Sequence, residues 1–284
     1  MTAGLADWLR ETAVRLAPVS ETGRLDAELI AAFALGMDRA DMLLRLHDLA
    51  VPEGADALVV RRLTHAPVAH ITGTRDFWTI SLSVTPDVLI PRPDSETLIE
   101  GAVAHFTGTA GPKRVLDLGT GSGALLLAAL DQWRDATGLG IDISPRALSV
   151  ASGNARRLGM AERVRFRQGD WGAGLAQRFD LILCNPPYIA TGERLSPEVA
   201  DHEPWGALFA GADGLDCYRL LAPMTGGLLA PGGVALFEIG HRQAEAVCSL
   251  FVDAGFVPAM LPDLAGRDRC VRVMAQDAQG PVSA

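Results

Sequence analysis

Asn185-Pro186-Pro187-Tyr188 has the residue types and order that could bind and activate a planar amino group. It follows the apolar run Leu181–Cys184, which predicts a buried strand. The two prolines fix φ and lack N–H donors, so we expect a stiff turn where the strand ends. The side-chain oxygen of Asn185 and the carbonyl oxygen of Pro186 could accept both hydrogens of an –NH2 group, and Tyr188 offers a flat ring. We therefore predict that Asn185, Pro186 and Tyr188 are catalytic, and that all four residues bind the reacting group.

A glycine-rich segment predicts the second part of the site. Gly119-Thr120-Gly121-Ser122-Gly123 lies between a predicted strand and an apolar helix, so its backbone can pass close to a ligand. Taken alone, this pattern occurs in many proteins that bind nucleotides or nucleosides. Asp117, two residues before Gly119, would repel a pyrophosphate but suits a ligand with an amino group. We expect Asp117 and the whole glycine-rich segment to bind a cofactor.

Acidic residues after the next two predicted strands narrow the choice of cofactor. Asp142 lies 19 residues after Gly123, at a strand end where an acid can accept the hydrogens of ribose hydroxyls. Asp170-Trp171 supplies an acceptor and a ring for an adenine. Together these residues fit S-adenosylmethionine, which carries ribose, adenine and an amino acid but no phosphate. Asn185 is expected to contact this cofactor as well.

The segments around these residues predict an α/β fold. From Arg114 onward strand and helix patterns alternate, which is typical of a mostly parallel sheet with helices on both faces. The predicted strands cover residues 115–118, 139–143, 164–166, 179–184, 234–239, 257–261 and 269–274. The predicted helices run from residue 124 through 130 and over 145–158, 215–229 and 243–254. A turn is expected at Pro231-Gly232-Gly233.

Two further segments precede this domain. Residues 1–72 show four amphipathic patterns, at 5–16, 25–35, 41–49 and 55–63, and we expect a small helical domain that recognises the substrate. Residues 73–96 are expected to form a linker with a β-hairpin that turns at Thr85-Pro86-Asp87. Asp94 or Ser95 would then cap a helix over 97–106. Residues 97–284 form the expected cofactor-binding domain.

Composition excludes several classes of protein. The chain is 49% hydrophobic and 21% charged, which is typical of a globular protein. Its net charge is −9 and Lys113 is its only lysine, so we expect no stable binding to nucleic acid. The four cysteines are far apart and predict neither disulfides nor a metal site. The first residues do not resemble a signal peptide, and no apolar run approaches the roughly 20 residues that span a membrane. We expect a soluble, cytoplasmic protein without membrane partners.

The residues discussed above resemble the motifs of Rossmann-like S-adenosylmethionine methyltransferases that methylate nitrogen. Within that superfamily the chain resembles the release factor glutamine methyltransferases, including their N-terminal helical domain. The segments that carry the closer resemblance are Pro67–Gly73, Leu89–Glu96 and the pattern Glu203-Pro204, Ala207-Leu208, Gly211, Asp213-Gly214-Leu215 and Tyr218-Arg219. Ser95 stands where the family often has threonine, and Trp205-Gly206 lies in a loop of variable sequence.

The resemblance implies a fold, a reaction and a partner. The fold would be a Rossmann-like methyltransferase sheet with a small N-terminal helical domain and a linking β-hairpin. The reaction would be methyl transfer to the side-chain amide nitrogen of the glutamine in the Gly-Gly-Gln motif of class 1 peptide chain release factors. An amide nitrogen is a poor nucleophile, so two acceptors at the Asn185 turn would suit this chemistry.

Three alternatives to this function remain open on the sequence. The Asn-Pro-Pro-Tyr motif also occurs in methyltransferases that act on adenine in nucleic acid, with the base flipped into the site. It occurs as well in methyltransferases that act on glutamine in ribosomal proteins. A catalytically silent adapter with the same fold is the third alternative, and the intact turn Asn185–Tyr188 argues against it.

Overall fold

The computed structural model describes residues 4–275 of the chain, and the contacts between them define two units. The helical unit contains the described residues up to Thr74 together with Leu195–Glu203. The sheet unit contains Arg75–Arg194 and the described residues from Pro204 onward. The predicted division into residues 1–72, 73–96 and 97–284, with its assignment of roles, stays a prediction.

Short amphipathic helices build the helical unit. They are α1 (Leu5–Leu16), α2 (Gly23–Leu35), α3 (Arg39–Leu44), α4 (Ala55–Leu63), α5 (Val68–Thr72) and, from the later segment, α9 (Pro197–Ala200). Leu5, Leu9 and Leu16 recur on one face of α1 and are buried in the core of this unit. Gly36 ends α2 with a φ of 64°, a left-handed conformation that favours glycine.

One helix of the helical unit has other bounds than predicted, and a second helix was not predicted. The helix predicted over residues 41–49 is α3, which begins earlier because the side chain of Asp38 accepts the N–H of Ala40 at 2.7 Å. It ends at Leu44 because the N–H of Arg45 donates to Met42, three residues back rather than four. The short helix α5 was not predicted, since five residues are too few to show a helical period.

A buried ion pair joins the later segment to the rest of the helical unit. Arg62, on α4, is only 4% exposed. Its Nε donates to Asp26 Oδ2 at 2.7 Å, and one terminal nitrogen donates to Glu198 Oε2 at 2.8 Å. A buried charge is costly unless it is paired and hydrogen-bonded. Arg62 therefore connects α2, α4 and the segment Leu195–Glu203.

The β-hairpin turns at a different place from the one predicted. β1 (Thr74–Phe77) and β2 (Ile80–Ser83) form a two-stranded sheet and are joined through Trp78. The predicted turn at Thr85-Pro86-Asp87 lies beyond β2, so that prediction was wrong. Trp78 has a φ of 54°, a conformation that bulky residues seldom adopt. Its N–H donates to a side-chain oxygen of Glu96 at 2.9 Å, a contact that no local turn signal could indicate.

A seven-stranded sheet forms the centre of the described part of the sheet unit. Its strands are β3 (Arg114–Leu118), β4 (Thr137–Asp142), β5 (Val164–Gln168), β6 (Phe179–Cys184), β7 (Leu229–Glu238), β8 (Phe256–Pro262) and β9 (Asp268–Ala275). The spatial order is β5-β4-β3-β6-β7-β9-β8. Strands β3 to β7 are parallel, and β9 pairs antiparallel with β7 and β8. The prediction of a mostly parallel sheet is confirmed.

Helices cover both faces of this sheet. They are α6 (Glu96–Phe106), α7 (Ala124–Gln132), α8 (Pro145–Arg157), α10 (Asp216–Leu228) and α11 (Ala244–Asp253). Successive residues of a strand point to opposite faces. Val115 accordingly belongs to the core that contains α6 and α7, whereas Leu116 belongs to the core that contains α10 and α11. Both faces of the central strands are therefore buried, which explains their continuous apolar runs.

The turn predicted at Pro231–Gly233 is an irregularity inside β7. Phe179 of β6 pairs with Leu229, and Leu181 pairs with Val234, so β7 has three extra residues over this stretch. Gly232 has a φ of 72°, which permits the sharp bend. Pairing with β6 on both sides makes this one strand, so the predicted boundary at residue 234 was wrong.

The strand order creates a ligand-binding edge. The chain passes from β3 to β4 and β5 on one side, then returns to β6 on the other side of β3. The segments that follow β3 and β6 therefore diverge at a topological switch point. In open α/β sheets, ligands bind outside the carboxyl ends of the strands at such a point. The described helices include none that is both long enough and apolar enough to cross a membrane.

Candidate active site

A cavity of about 360 Å³ lies at the switch point. It is lined by most of the residues that the sequence predicts for the site. These are Asp117, Gly119, Thr120, Gly121, Ser122, Asp142, Asp170, Trp171, Asn185 and Pro187. Gly123, Pro186 and Tyr188 are not part of this lining. These ten residues lie at or just after the ends of four parallel strands, because those ends meet at one edge of the sheet.

The glycine-rich segment makes a tight turn between β3 and α7. Gly119, Gly121 and Gly123 have φ values of 73°, 53° and 84°, all in the region that favours glycine. The N–H groups of Gly119 and Thr120 both donate to the carbonyl of Ile141 at 2.9 Å. Gly123 lies at the N-terminus of α7 and shapes the turn rather than the cavity wall.

Asp117 presents a buried acceptor to the cavity. Its Oδ2 accepts the Thr120 hydroxyl at 2.7 Å, whereas its Oδ1 has no hydrogen-bond partner among the described residues. Burial raises the pKa of this carboxyl to about 7, although the hydrogen bond from Thr120 and the nearby backbone N–H of Leu126 oppose the shift. A cationic amino group would satisfy the unpartnered oxygen and favour the charged form. This feature fits the amino-acid part of S-adenosylmethionine.

Asp142 lies at the end of β4 and holds the glycine-rich turn in place. Its Oδ2 accepts the N–H of Gly121 at 2.8 Å, and its Oδ1 accepts the N–H of Ser144 at 2.9 Å. Each carboxylate oxygen can accept a second hydrogen bond. The side chain can therefore orient the turn and also bind ribose hydroxyls, and the second role stays a prediction.

Asp170 and Trp171 line the cavity after β5. Asp170 is exposed and Trp171 is half-buried. The Trp171 backbone has a φ of 49°, and a Cβ added at Gly119 would lie 3.3 Å from its ring. The ring therefore packs beside the glycine-rich turn, where glycine leaves room for it. Their contacts with adenine stay a prediction.

The turn after β6 is held in place by residues that contact the backbone of Tyr188. The carbonyl of Tyr188 accepts the side-chain N–H of Gln243 at 2.9 Å. A Cβ at Gly214 would lie 2.2 Å from that carbonyl, so only glycine fits there. Pro186 is buried, and Pro187 is half-buried at the cavity wall. The turn is therefore fixed by backbone contacts, while Asn185 faces the cavity.

Ser95 connects Asn185 to a buried acid. The Nδ2 atom of Asn185 donates to Ser95 Oγ at 3.0 Å. The hydroxyl of Ser95 in turn donates to Oε2 of Glu238, at the end of β7. Ser95 occupies the N-cap position of α6 but makes no side-chain capping bond, and Asp94 instead pairs with Arg269 at 3.0 Å. The predicted capping roles of Asp94 and Ser95 were therefore wrong.

Glu238 is buried beside the catalytic turn. Its Oε1 accepts the hydroxyl of Tyr188 at 3.3 Å. Burial raises the pKa of Glu238 to about 7; the Ser95 hydrogen bond and the charge of Arg269 oppose this shift, and the charge of Asp94 adds to it. Burial also raises the pKa of the Tyr188 hydroxyl, so Tyr188 remains a hydrogen-bond donor at neutral pH.

Sequence reasoning missed Glu238 and Gln243 as parts of this site. One signal was available for Glu238, a carboxylate inside the otherwise apolar run Val234–Ile239. Buried acids are rare unless they are hydrogen-bonded, so such an interruption indicates a function. Gln243 carried no comparable signal. Within the described residues, no cluster of three or more histidine, cysteine or acidic side chains could hold a metal ion.

Known proteins share this architecture. The family of methyltransferase domains matches residues 111–219, and the family of PrmC N-terminal domains matches residues 7–73. A release factor glutamine methyltransferase of Rhodospirillum rubrum is 46% identical over 268 residues, which cover 92% of this chain and 82% of that protein. The protein of the same name from Cereibacter sphaeroides is 45% identical over 274 residues, which cover 94% of this chain and 96% of that protein.

A solved structure supports the fold. A methyltransferase from Pyrococcus furiosus superposes with a TM-score of 0.51 at 16% identity and covers 75% of this chain and 95% of its own. At this identity the likeness concerns the fold alone. The fold of this chain is therefore similar to that of the solved methyltransferase.

Proposed function

Since the chain belongs to the family of release factor glutamine methyltransferases, we propose that Asn185 and Pro186 bind the substrate amide while it is methylated. The enzyme transfers a methyl group from S-adenosylmethionine to the side-chain amide nitrogen of a glutamine. The substrate is a peptide chain release factor, and the modified residue is the glutamine of the Gly-Gly-Gln motif of class 1 factors.

The difficulty of the reaction lies in the nucleophile. The lone pair of an amide nitrogen is delocalised into its carbonyl, and positive charge builds on the nitrogen as the new bond forms. Oδ1 of Asn185 and the carbonyl of Pro186 accept the two N–H hydrogens, which stabilises that charge. They also hold the nitrogen in position, which can contribute several kcal/mol. Tyr188 packs against the amide plane, and the proton leaves to solvent.

The cavity residues hold the cofactor. S-Adenosylmethionine, when bound, supplies an electrophilic methyl group on a sulfonium. Asp117 binds its amino group, Asp142 its ribose hydroxyls, and Asp170-Trp171 its adenine. The backbone of Gly119–Gly123 passes beside it. The unpartnered Oδ1 of Asp117 supports this assignment, because a cation at that position satisfies a buried acceptor.

One observation carries the proposal for the catalytic turn. Asn185 lines the cavity, and the nitrogen end of its amide is already engaged by Ser95 at 3.0 Å. Its oxygen end is therefore the end that remains for a substrate. A substrate –NH2 group needs acceptors rather than donors, so this orientation supports the binding of an amide.

Single-turnover kinetics with labelled S-adenosylmethionine and an intact release factor test the proposal. We expect Asn185→Ala to lower the rate constant by roughly 10²–10³-fold, by analogy with the loss of one oxyanion-hole donor. Because the interaction is strongest in the transition state, substrate affinity should change much less. Asn185→Asp keeps an acceptor of nearly the same shape but loses the N–H that donates to Ser95, so its rate constant should lie between those of Asn185→Ala and the wild type. A wild-type rate for Asn185→Ala would exclude this role.

The identity of the substrate needs its own control. A release factor whose motif glutamine is replaced by alanine should take up no label. Duplex and single-stranded nucleic acids, offered in the same assay, should also remain unlabelled. Label on nucleic acid alone would instead favour an adenine methyltransferase.

We further propose that the helical unit recognises the body of the release factor. All the proposed cofactor residues lie in the sheet unit, so the helical unit is free for another role. Phe33 on α2 and Leu44 on α3 are 47% and 85% exposed, so both apolar side chains are accessible to a protein partner. Phe33→Ser and Leu44→Ser should raise the KM for the intact factor but not for a short Gly-Gly-Gln peptide. Equal KM values for the intact factor would contradict this role.

A further inference from the structure

The carboxylate of Glu238 has no part in the mechanism described above, although it lies beside the catalytic turn. It is buried, and a buried carboxylate is costly unless its oxygens accept hydrogen bonds. Both oxygens do so here, Oε2 from Ser95 and Oε1 from Tyr188 at 3.3 Å. Because both oxygens accept, these contacts describe the charged form of the acid.

The bond to Glu238 determines what Ser95 can offer to Asn185. A serine hydroxyl has a single hydrogen, and here that hydrogen is donated to Glu238. Toward Asn185, Ser95 can then only accept. The amide of Asn185 must therefore present its nitrogen to Ser95, as it does at 3.0 Å. The amide oxygen is left for the cavity.

We propose that Glu238 is a positioning residue, which acts through Ser95 to hold the side-chain amide of Asn185 with its oxygen toward the substrate. The inference rests on the proposed function, in which that oxygen accepts a hydrogen of the substrate amide. Glu238 touches neither the substrate nor the cofactor in this role. It decides which of two nearly isosteric ends of Asn185 faces the reaction.

The consequence of losing Glu238 follows from the same geometry. Without its acceptor, the hydroxyl of Ser95 is free to donate to Oδ1 of Asn185. The amide would then turn by half a rotation and present its –NH2 group to the –NH2 group of the substrate, with donors facing donors. Removing Ser95 as well would abolish this wrong hydrogen bond. The loss of Ser95 should therefore partly rescue the loss of Glu238.

A double-mutant cycle tests this relay, with the single-turnover rate constant measured at saturating cofactor and release factor. Glu238→Met keeps a similar volume and removes both acceptors, and the rate constant should fall about tenfold, the equivalent of one inverted hydrogen bond. Ser95→Ala leaves the amide free to adopt either orientation and should cost only about two- to threefold, whereas Ser95→Thr keeps the hydroxyl and should match wild type. The double variant should return to the rate of Ser95→Ala. Cofactor affinity, measured by calorimetry, should be unchanged throughout.

If the rate loss of the double variant equals the product of the losses of the two single variants, the proposal is overturned, because Glu238 and Ser95 would then act independently. The same cycle in a Tyr188→Phe background removes the other hydroxyl that donates to Glu238, so that only the hydrogen bond from Ser95 is tested. If Glu238→Met does not bind cofactor, Glu238→Gln replaces it. Its single oxygen cannot serve both hydroxyls, so a smaller loss with the same rescue is expected. If Asn185→Ala is slow but the effects of the Glu238 and Ser95 substitutions multiply, the relay alone is refuted. If Asn185→Ala reacts at the wild-type rate, the proposed function is refuted.

Discussion

Replacement of Asp117 by asparagine tests whether the buried carboxylate binds the amino group of S-adenosylmethionine. Asparagine has nearly the same size, and its oxygen can still accept the Thr120 hydroxyl, as Oδ2 does at 2.7 Å. The substitution therefore removes the charge but spares the turn. A hydrogen bond to a charged group contributes about 1.5–3 kcal/mol. We expect the dissociation constant of the cofactor to rise by roughly 10- to 150-fold.

The pH dependence of binding gives a sharper test of Asp117. Burial raises its pKa to about 7, and the cationic amino group binds the deprotonated form. Below that pH the acid must lose a proton before it can bind, so affinity should decrease by up to about tenfold per pH unit. Affinity should therefore increase with pH up to about 7, with proton release on binding. Asp117→Asn should show neither the slope nor the release.

Isothermal titration calorimetry at several pH values between about 5.5 and 7.5, in buffers of different ionisation enthalpy, measures both quantities. Asp170→Asn is a matched control, since it removes a negative charge from the same cavity at an exposed position. It should keep the pH slope of the wild type. If Asp117→Asn bound the cofactor with wild-type affinity and the same slope, the charge of Asp117 would not be the partner of the amino group.

Three further predictions concern other buried or half-buried charges. Asp142→Ala should weaken cofactor binding by about 1.5–3 kcal/mol in calorimetry. Unchanged affinity would mean that Asp142 only holds the glycine-rich turn in place. At saturating cofactor the rate constant should fall as pH decreases through about 7, because a protonated Glu238 can donate a hydrogen bond and no longer acts purely as the acceptor of the Ser95 hydroxyl. This decrease should be absent in Glu238→Gln. Arg62→Met leaves the carboxylate of Asp26 buried without its cation and should lower the free energy of unfolding in urea by about 3–5 kcal/mol, whereas a loss below about 1 kcal/mol would contradict a structural role for this pair.

Elements with a complete local signal could be predicted from the sequence. The helix Ala55–Leu63 and the strand Phe179–Cys184 have the predicted bounds. Each has an apolar pattern of the right period, and each is bounded by residues that stop it, Gly54 before the helix and Asn185-Pro186 after the strand. The residues of the cavity wall follow from the same logic, since the ends of parallel strands meet at one edge.

Features that depend on distant partners could not be predicted. Ser95 and Glu238 are 143 residues apart, so no spacing connects them. Ser95 has the local chemistry of a helix cap, and only the nearby acid directs its hydroxyl elsewhere. Pro231-Gly232-Gly233 likewise has the chemistry of a turn, but pairing with the neighbouring strand on both sides includes it in β7. In each case a tertiary contact outweighed a correct local preference.

The grouping of Leu195–Glu203 with the helical unit has a consequence for protein engineering. The described chain crosses between the two units after Thr74, before Leu195 and after Glu203, so the helical unit is not a detachable N-terminal module. Glu198 pairs with the buried Arg62. An N-terminal portion taken from another family member would bring its own residue to the position of Arg62. A chimera that exchanges only the N-terminal portion would thus mismatch this pair. A functional exchange between family members has to graft both pieces of chain together.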